Sequence, residues 1–385
     1  MQKKYFYNLN GIRFILASMV LVHHVAAVTQ LNGISSLYNK LDILKAFGPV
    51  AVSLFFALSG FLISYILLAE KKQTQTIALK KFYFSRALRI LPLYYLIVCI
   101  HLFIFPHTPL HALECKMQIV NSASFAYTPT PLSDIFLNAF YLLLMPQVAL
   151  ALIVATGNTF VPAGHVWSIG VEEIFYLIWP YLLLKYSHQF KWLIKKLFYS
   201  YYGIGVFIFV LAQFSKNQSI QNHLLQRGIN FSIILFLYNR VTCMFIGAIG
   251  AYILLYKPAI LERLTSKRKF YFSLFFILFL FAIGARVPFL THEVYCILFV
   301  IILLFLVKDD KQYFLESKVL NYLGKISYGI YMYQMIAIFF CTFLYQQYHF
   351  NYLLLYPFSF IITIILAAFS YKLFESWFLN YKSKL

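Results

Sequence analysis

An arginine and a histidine stand in one apolar run, GIRFILASMVLVHH, Gly11 to His24. A helix turns about 100° and rises about 1.5 Å per residue, so Arg13 and His24 fall within roughly 20° of each other, about 16 Å apart. Ionisable groups inside a membrane are costly unless they face protein or water. A neutral imidazole can take a proton from a hydroxyl or attack a carbonyl itself, and a fixed guanidinium can steady oxyanion charge. The competing reading is a packed histidine with an arginine snorkelling to the surface; the shared face weighs against it. His23 turns about 80° the other way and reads as packing or support for His24.

Two further groups carry chemistry. In KKFYFSRALRILPLYYL, Arg86 and Arg89 lie three apart on one helical face, and two planar forks suit phosphate oxygens better than lysines do. The bland alternative is cytoplasmic anchoring, alongside Lys80 and Lys81. In GHVWSIGVEEIFYLIWP, Ser168, Glu172 and Tyr176 recur every four residues and share a face. A carboxylate there calls for a partner; interhelical hydrogen bonding is the plainer reading. No G-x-S-x-G elbow occurs, which argues against a serine hydrolase. Arg240 sits in an expected span, followed by Gly247 and Gly250, which allow close helix approach. Tyr328 lies in GKISYGIYMYQ, and Glu375 near the end of the last span is expected to pair with a basic residue. The five cysteines are scattered with no C-x-x-C pair, so neither a disulfide framework nor a metal site is indicated.

The elements that position these residues are helices in a bilayer. The chain has 385 residues, 62% hydrophobic and 11% charged, whereas a soluble domain carries about 25% charged residues. Apolar runs of spanning length recur throughout, so the fold expected is an all-α polytopic bundle of about ten transmembrane helices. The spans read as 9–31, 46–69, 90–106, 165–186, 198–214, 232–256, 270–288, 293–307, 326–347 and 353–374. The segment 134–157 is also long enough to cross. With ten spans and both termini cytoplasmic, about 24 of the 32 Lys and Arg residues fall inside and about six outside. A crossing at 134–157 would move the Lys185–Lys196 cluster outside, so this segment reads as re-entrant or interfacial, with Pro146 and Gln147 shielded by protein. The net charge of +20 is then topological anchoring and not a nucleic-acid surface. The N-terminal MQKK and its apolar run read as an uncleaved first span. Residues 1–385 read as one integral-membrane domain. The 42 Phe and 31 Tyr read mainly as lipid-facing and interfacial packing.

With these pieces in order, the chain resembles the integral-membrane acyltransferase-3 family of carbohydrate O-acyltransferases, in a stand-alone form without a fused esterase-like domain. The matching elements are LNGIR with the Arg13–His24 spacing, FGPVAVSLFFALSGFLIS, SRALRILPLYY, WSIGVEEIFYLIWP, the Arg240–Gly250 stretch, ISYGIYMY and FESWF. The resemblance implies an acyl-CoA donor, most simply acetyl-CoA, bound from the cytoplasm as substrate with no resident cofactor. It implies a sugar hydroxyl as acceptor on the outer side of a bacterial inner membrane. His24 matches the family's essential histidine, Arg13 its partner arginine, and Arg86 and Arg89 the pair linked to donor binding. Trp167, Ser168 and Glu172 match its Trp-Ser…Glu element; Arg240 and Tyr328 fall in matching motifs as supporting residues. The chain departs at Asn10 and Ser53, where members often carry Asp, and at Gln334, where many carry His.

The function expected is transfer of an acyl group to a carbohydrate hydroxyl, with His24 as general base or acyl carrier, and with Arg13 and Glu172 in the catalytic set. Membrane lipid is the remaining partner. Two other classes stay open: an exporter of a glycan or lipid-linked sugar, with the intramembrane ionisable residues lining a path, and a non-catalytic subunit of an envelope assembly.

Overall fold

The computed structural model describes residues 5–116, 131–156, 163–217, 223–284, 290–308, 311 and 313–383. Among them every regular element is helical, as lipid demands of any chain that does not close a barrel. In order these are α1 (Leu9–Leu31), α2 (Asp42–Thr74), α3 (Leu79–Cys99), α4 (His111–Lys116), α5 (Pro131–Leu142), α6 (Pro146–Thr156), α7 (Trp167–Tyr186), α8 (Phe190–Asn217) and α9 (His223–Tyr238). There follow α10 (Val241–Tyr256), α11 (Pro258–Leu264), α12 (Lys267–Ala282), α13 (Thr291–Lys308), α14 (Lys318–Lys325), α15 (Ser327–Tyr348), α16 (Leu355–Ser370) and α17 (Ser376–Ser383).

Eight helical stretches among the described residues are long and apolar enough to cross a membrane, and the protein is an integral-membrane helical bundle. The difference from ten spans has two sources. The expected fourth and fifth spans lie in one stretch, Gly164–Phe214, of 51 residues. At about 1.5 Å per residue that is more than twice the hydrocarbon thickness, and a 3-10 turn at Ser187–Gln189 divides it. The expected span 270–288 is α12, 16 residues long; residues 285–288 lie outside the described ones.

The segment 134–157 is not one continuous helix. It is α5 and α6, of 12 and 11 residues, each too short to cross. Leu144 between them takes φ 61°, a left-handed conformation unusual for a branched residue. Pro146 opens α6 where a missing N–H costs nothing, and Gln147 is buried.

Backbone packing gathers the chain into two compact units. The first comprises Met1–Ile97 and Cys243–Leu385. Within it α1 packs on α2, α14 and α15, α2 on α13, and α15 on α16. Glycines set the closest approaches: a side chain on Gly247 would strike the Ala57 carbonyl and Phe61 nitrogen of α2, and one on Gly250 would meet Val300. Small residues let helix backbones meet where lipid supplies no hydrophobic drive. The second unit is Val98–Thr242, in which α6 packs on α7 and α9, and α8 on α9. Aromatic side chains on α8, α12 and α16, among them Phe207, Phe275 and Phe369, are exposed and give each of these helices an apolar face suited to lipid.

Candidate active site

In the first unit α1 carries both polar residues of its motif on one helix. His24 Nδ1 lies 3.2 Å from Oε1 of Gln334 on α15. The amide nitrogen of Gln334 donates to the Tyr331 carbonyl at 2.9 Å, and Gln334 is fully buried. His24 is half-buried. His23 points elsewhere, as the helical angle predicts: its Nδ1 donates to the Leu44 carbonyl at 2.7 Å. Its ring fills the space that a side chain on Gly48 of α2 would occupy. The two imidazole centroids are 5.5 Å apart, so His23 walls one side of His24.

Arg13 occupies the other end of α1. Its Nη1 donates to Asn10 Oδ1 at 3.2 Å. Asn10 in turn donates to Asn321 Oδ1 at 2.9 Å and to the Tyr5 hydroxyl at 3.3 Å. The Glu316 carboxylate accepts from the Tyr5 hydroxyl at 2.6 Å, from the Asn8 amide at 2.6 Å, and from Asn321 Nδ2. Burial first, then the Glu316 carboxylate, raises the Tyr5 phenol above its usual value, which keeps it a donor. Asn8 adds bonds from its side-chain nitrogen to the Lys311 carbonyl and from the Tyr313 amide to its side-chain oxygen. Gly324 lets α14 sit directly against the Asn10 backbone, and Gly11 does the same for Leu315. The start of α1 is thus clasped by a segment some three hundred positions away.

Arg86 and Arg89 project from α3 and are both half-buried. The Arg86 guanidinium lies over the Phe82 ring one turn back, 5.7 Å from its centroid. The charge of Arg89 reaches Glu375, though among the described residues the two form no direct ion pair. Glu375 closes a π-helical turn, Tyr371–Glu375, between α16 and α17, and accepts from Ser370 at 3.3 Å. Such turns recur where a side chain must be re-aimed for function. The Tyr328 hydroxyl donates to the Ile90 carbonyl at 3.0 Å, fixing α15 to α3 beside the arginines.

In the second unit Trp167 is a hub. Arg240 lies over its ring at 5.7 Å, and Tyr238 meets it edge-on at 4.9 Å. Arg240 is not inside a helix as the sequence suggested. Asn239 and Arg240 break the run between α9 and α10. The carbonyls freed there are taken up by the Tyr201 hydroxyl, which donates to Phe236 and Asn239 at 3.2 and 3.1 Å, the kind of repair a broken membrane helix requires. Glu172 finds its expected helical neighbour, accepting from the Tyr176 hydroxyl at 3.2 Å. Ser168 is buried on the same face.

A family model described as an acyltransferase domain matches residues 6–372. The chain belongs to this family. It is 24% identical over 388 residues to an O-acetyltransferase OatA of Staphylococcus aureus (strain NCTC 8325 / PS 47), covering 97% of this chain and 57% of that protein. It is 26% identical over 198 residues to a peptidoglycan O-acetyltransferase OatA of Listeria monocytogenes serovar 1/2a (strain ATCC BAA-679 / EGD-e), covering 49% of this chain and 25% of that one. The chain spans a little over half the length of the S. aureus relative. No solved structure matches it.

Within the acyltransferase family's pattern, the three departures each touch a basic or imidazole group. Asn10 holds Arg13, Gln334 holds His24, and Ser53 lies 2.9 Å from His292 Nδ1. Sequence reading missed one polar pair altogether. His101 Nδ1 and Glu114 Oε1 are 2.7 Å apart with both side chains buried, and the Ala163 amide also donates to that oxygen. Thirteen positions of loop and short helix separate the two residues, so no periodicity links them. Among the described residues, His, Cys, Asp and Glu form no group of three placed to hold a metal.

Proposed function

We propose that this protein transfers an acyl group, most simply acetyl, from cytoplasmic acyl-CoA to a carbohydrate hydroxyl outside the membrane or on a lipid carrier. The reading is carried by His24, an imidazole in a membrane helix held at Nδ1 alone, in a chain of the acyltransferase family. The names of the relatives supply the acetyl group, and the Listeria name supplies a cell-wall glycan as the class of acceptor to try first.

The chemistry follows from the residues. The CoA phosphates bind Arg86 and Arg89, whose guanidiniums present paired donors to phosphate oxygens. The thioester reaches His24. The acceptor oxygen attacks the thioester carbonyl carbon as its proton moves to His24 Nε2. The carbon–sulfur bond breaks, and the proton passes to the departing CoA thiolate. In the covalent variant Nε2 attacks the thioester carbon, the carbon–sulfur bond breaks and CoA leaves as thiolate; the acceptor oxygen then attacks the acyl carbon, the carbon–Nε2 bond breaks to free the ring, and the acceptor's proton ends on the CoA thiolate. Arg13 steers the donor or stabilises the oxyanion. The resemblance and the bacterial sources of the relatives point to a bacterial cytoplasmic membrane, and the Lys and Arg distribution favours both termini cytoplasmic.

Membrane vesicles given labelled acetyl-CoA and a cell-wall glycan test the proposal. Loss of transfer in His24→Ala is expected, with a raised KM for the donor in Arg86→Ala. Full transfer by His24→Ala removes His24 from the reaction. Glycan movement that needs no acyl-CoA replaces the proposal with the exporter reading.

A further inference from the structure

Gln334 is wholly buried on α15, and both ends of its amide are engaged. Its nitrogen faces the Tyr331 carbonyl at 2.9 Å. A backbone carbonyl accepts hydrogen bonds and donates none. That contact fixes which way round the amide stands, since the flipped form would set two oxygens against each other. Its oxygen therefore faces His24 Nδ1, at 3.2 Å. An amide oxygen also only accepts, so the proton of the neutral imidazole must sit on Nδ1. Nε2 then carries the lone pair, and among the described residues no hydrogen bond occupies it. The bond joins helices whose contacting residues are 310 positions apart, and α1 and α15 pack directly, so the contact is built into the bundle.

We infer that Gln334 is a positioning residue that holds His24 as the Nδ1–H tautomer and presents its Nε2 lone pair to the substrate. The inference rests on the proposed use of His24 as base or acyl carrier, and names what prepares that atom. An amide does not titrate, so the hold is constant with pH. It also differs from a carboxylate partner, which would stabilise the imidazolium and keep Nε2 protonated to higher pH. With glutamine in this place, the base is free at lower pH than a His–carboxylate pair would allow.

The test uses the full chain in lipid nanodiscs, with 15N-histidine labelling, and compares wild type, Gln334→Met and Gln334→Glu. His24→Ala serves to assign the His24 signals. Wild type should show a protonated Nδ1 and a bare Nε2. Gln334→Met removes the acceptor at similar volume. It should give mixed tautomers and a fall in kcat of about 10- to 100-fold, part of the roughly 10²- to 10⁴-fold that a positioned general base contributes, with donor KM within about twofold of wild type. Gln334→Glu should keep the tautomer and most of kcat, and move the acidic limb of the pH–rate profile up by about one pH unit. Wild-type tautomer in Gln334→Met overturns the inference. So does a Gln334→Glu that loses as much kcat as Gln334→Met with its acidic limb unmoved. If His24→Ala retains transfer, the proposed role of His24 fails while the tautomer spectra still decide the role of Gln334. If Gln334→Met does not fold, the spectrum and profile of Gln334→Glu decide it.

Discussion

The two ends of α1 are held in opposite ways. Around Arg13 the helix start is locked by a network of Tyr5, Asn8, Asn10, Glu316 and Asn321, with glycine-mediated backbone contact to α14. At His24, among the described residues, one side-chain hydrogen bond holds the ring, and His23 walls it. A group that must accept a proton needs one nitrogen fixed and the other open; a helix that must keep that nitrogen in place needs a rigid base. If His24 acts as proposed, the contrast separates chemistry from scaffold along a single helix, and the two ends should respond differently to mutation.

The sharpest break is His24→Ala. Acyl transfer should fall by about 10²-fold or more, while thermal unfolding in detergent stays close to wild type. A variant that is equally inactive but grossly unstable would mean that this end is scaffold too. Next comes Gly324→Val at the clasped end. Its side chain would collide with the Asn10 backbone, and neither helix backbone can yield cheaply. Destabilisation of about 3 kcal/mol is expected, read as a lowered unfolding temperature; unchanged stability would show that α14 does not press on α1.

Glu316→Ala should have a smaller effect. It leaves the Asn8 amide and Tyr5 hydroxyl without their acceptor, and costs about 1–2 kcal/mol at this part-exposed position. Per folded molecule, the variant should keep its kcat; a large kcat loss in stable protein would move the clasp into the chemistry. The smallest effect belongs to Asn10→Asp. The Arg13 bond becomes charge-assisted, and because Asn10 is buried the desolvation of the new carboxylate offsets most of that gain, leaving under about 1 kcal/mol of added stability. Salt should reduce that gain, and a loss of stability would show that Asn10 matters as a donor to Asn321 and Tyr5 more than as an acceptor for Arg13.

Much of this was legible in the sequence where the cause is local. The face shared by Arg13 and His24, the diverging direction of His23, and the Glu172–Tyr176 contact all follow from helix periodicity. The close approach at Gly247 follows from the missing side chain. The interruption at 134–157 was readable because placing a span there would have reversed the charge distribution. Other features gave no local signal. The break at Asn239–Arg240 contains neither Gly nor Pro, and its freed carbonyls are satisfied by Tyr201 from α8.

What the sequence by itself determined is the kind of molecule and the helix that carries its proposed chemistry. Apolar runs of fixed length must become membrane helices, Lys and Arg sort to one side, and the spacing of Arg13 and His24 settles their common face without reference to any other part of the chain. Only the tertiary structure decided how those residues are held. Asn10 meets Asn321 and His24 meets Gln334 across 311 and 310 positions, and hydrogen-bond partners at such separations are chosen by helix packing. Which nitrogen of His24 remains open is a property of that packing, because it depends on the direction of one buried amide on α15.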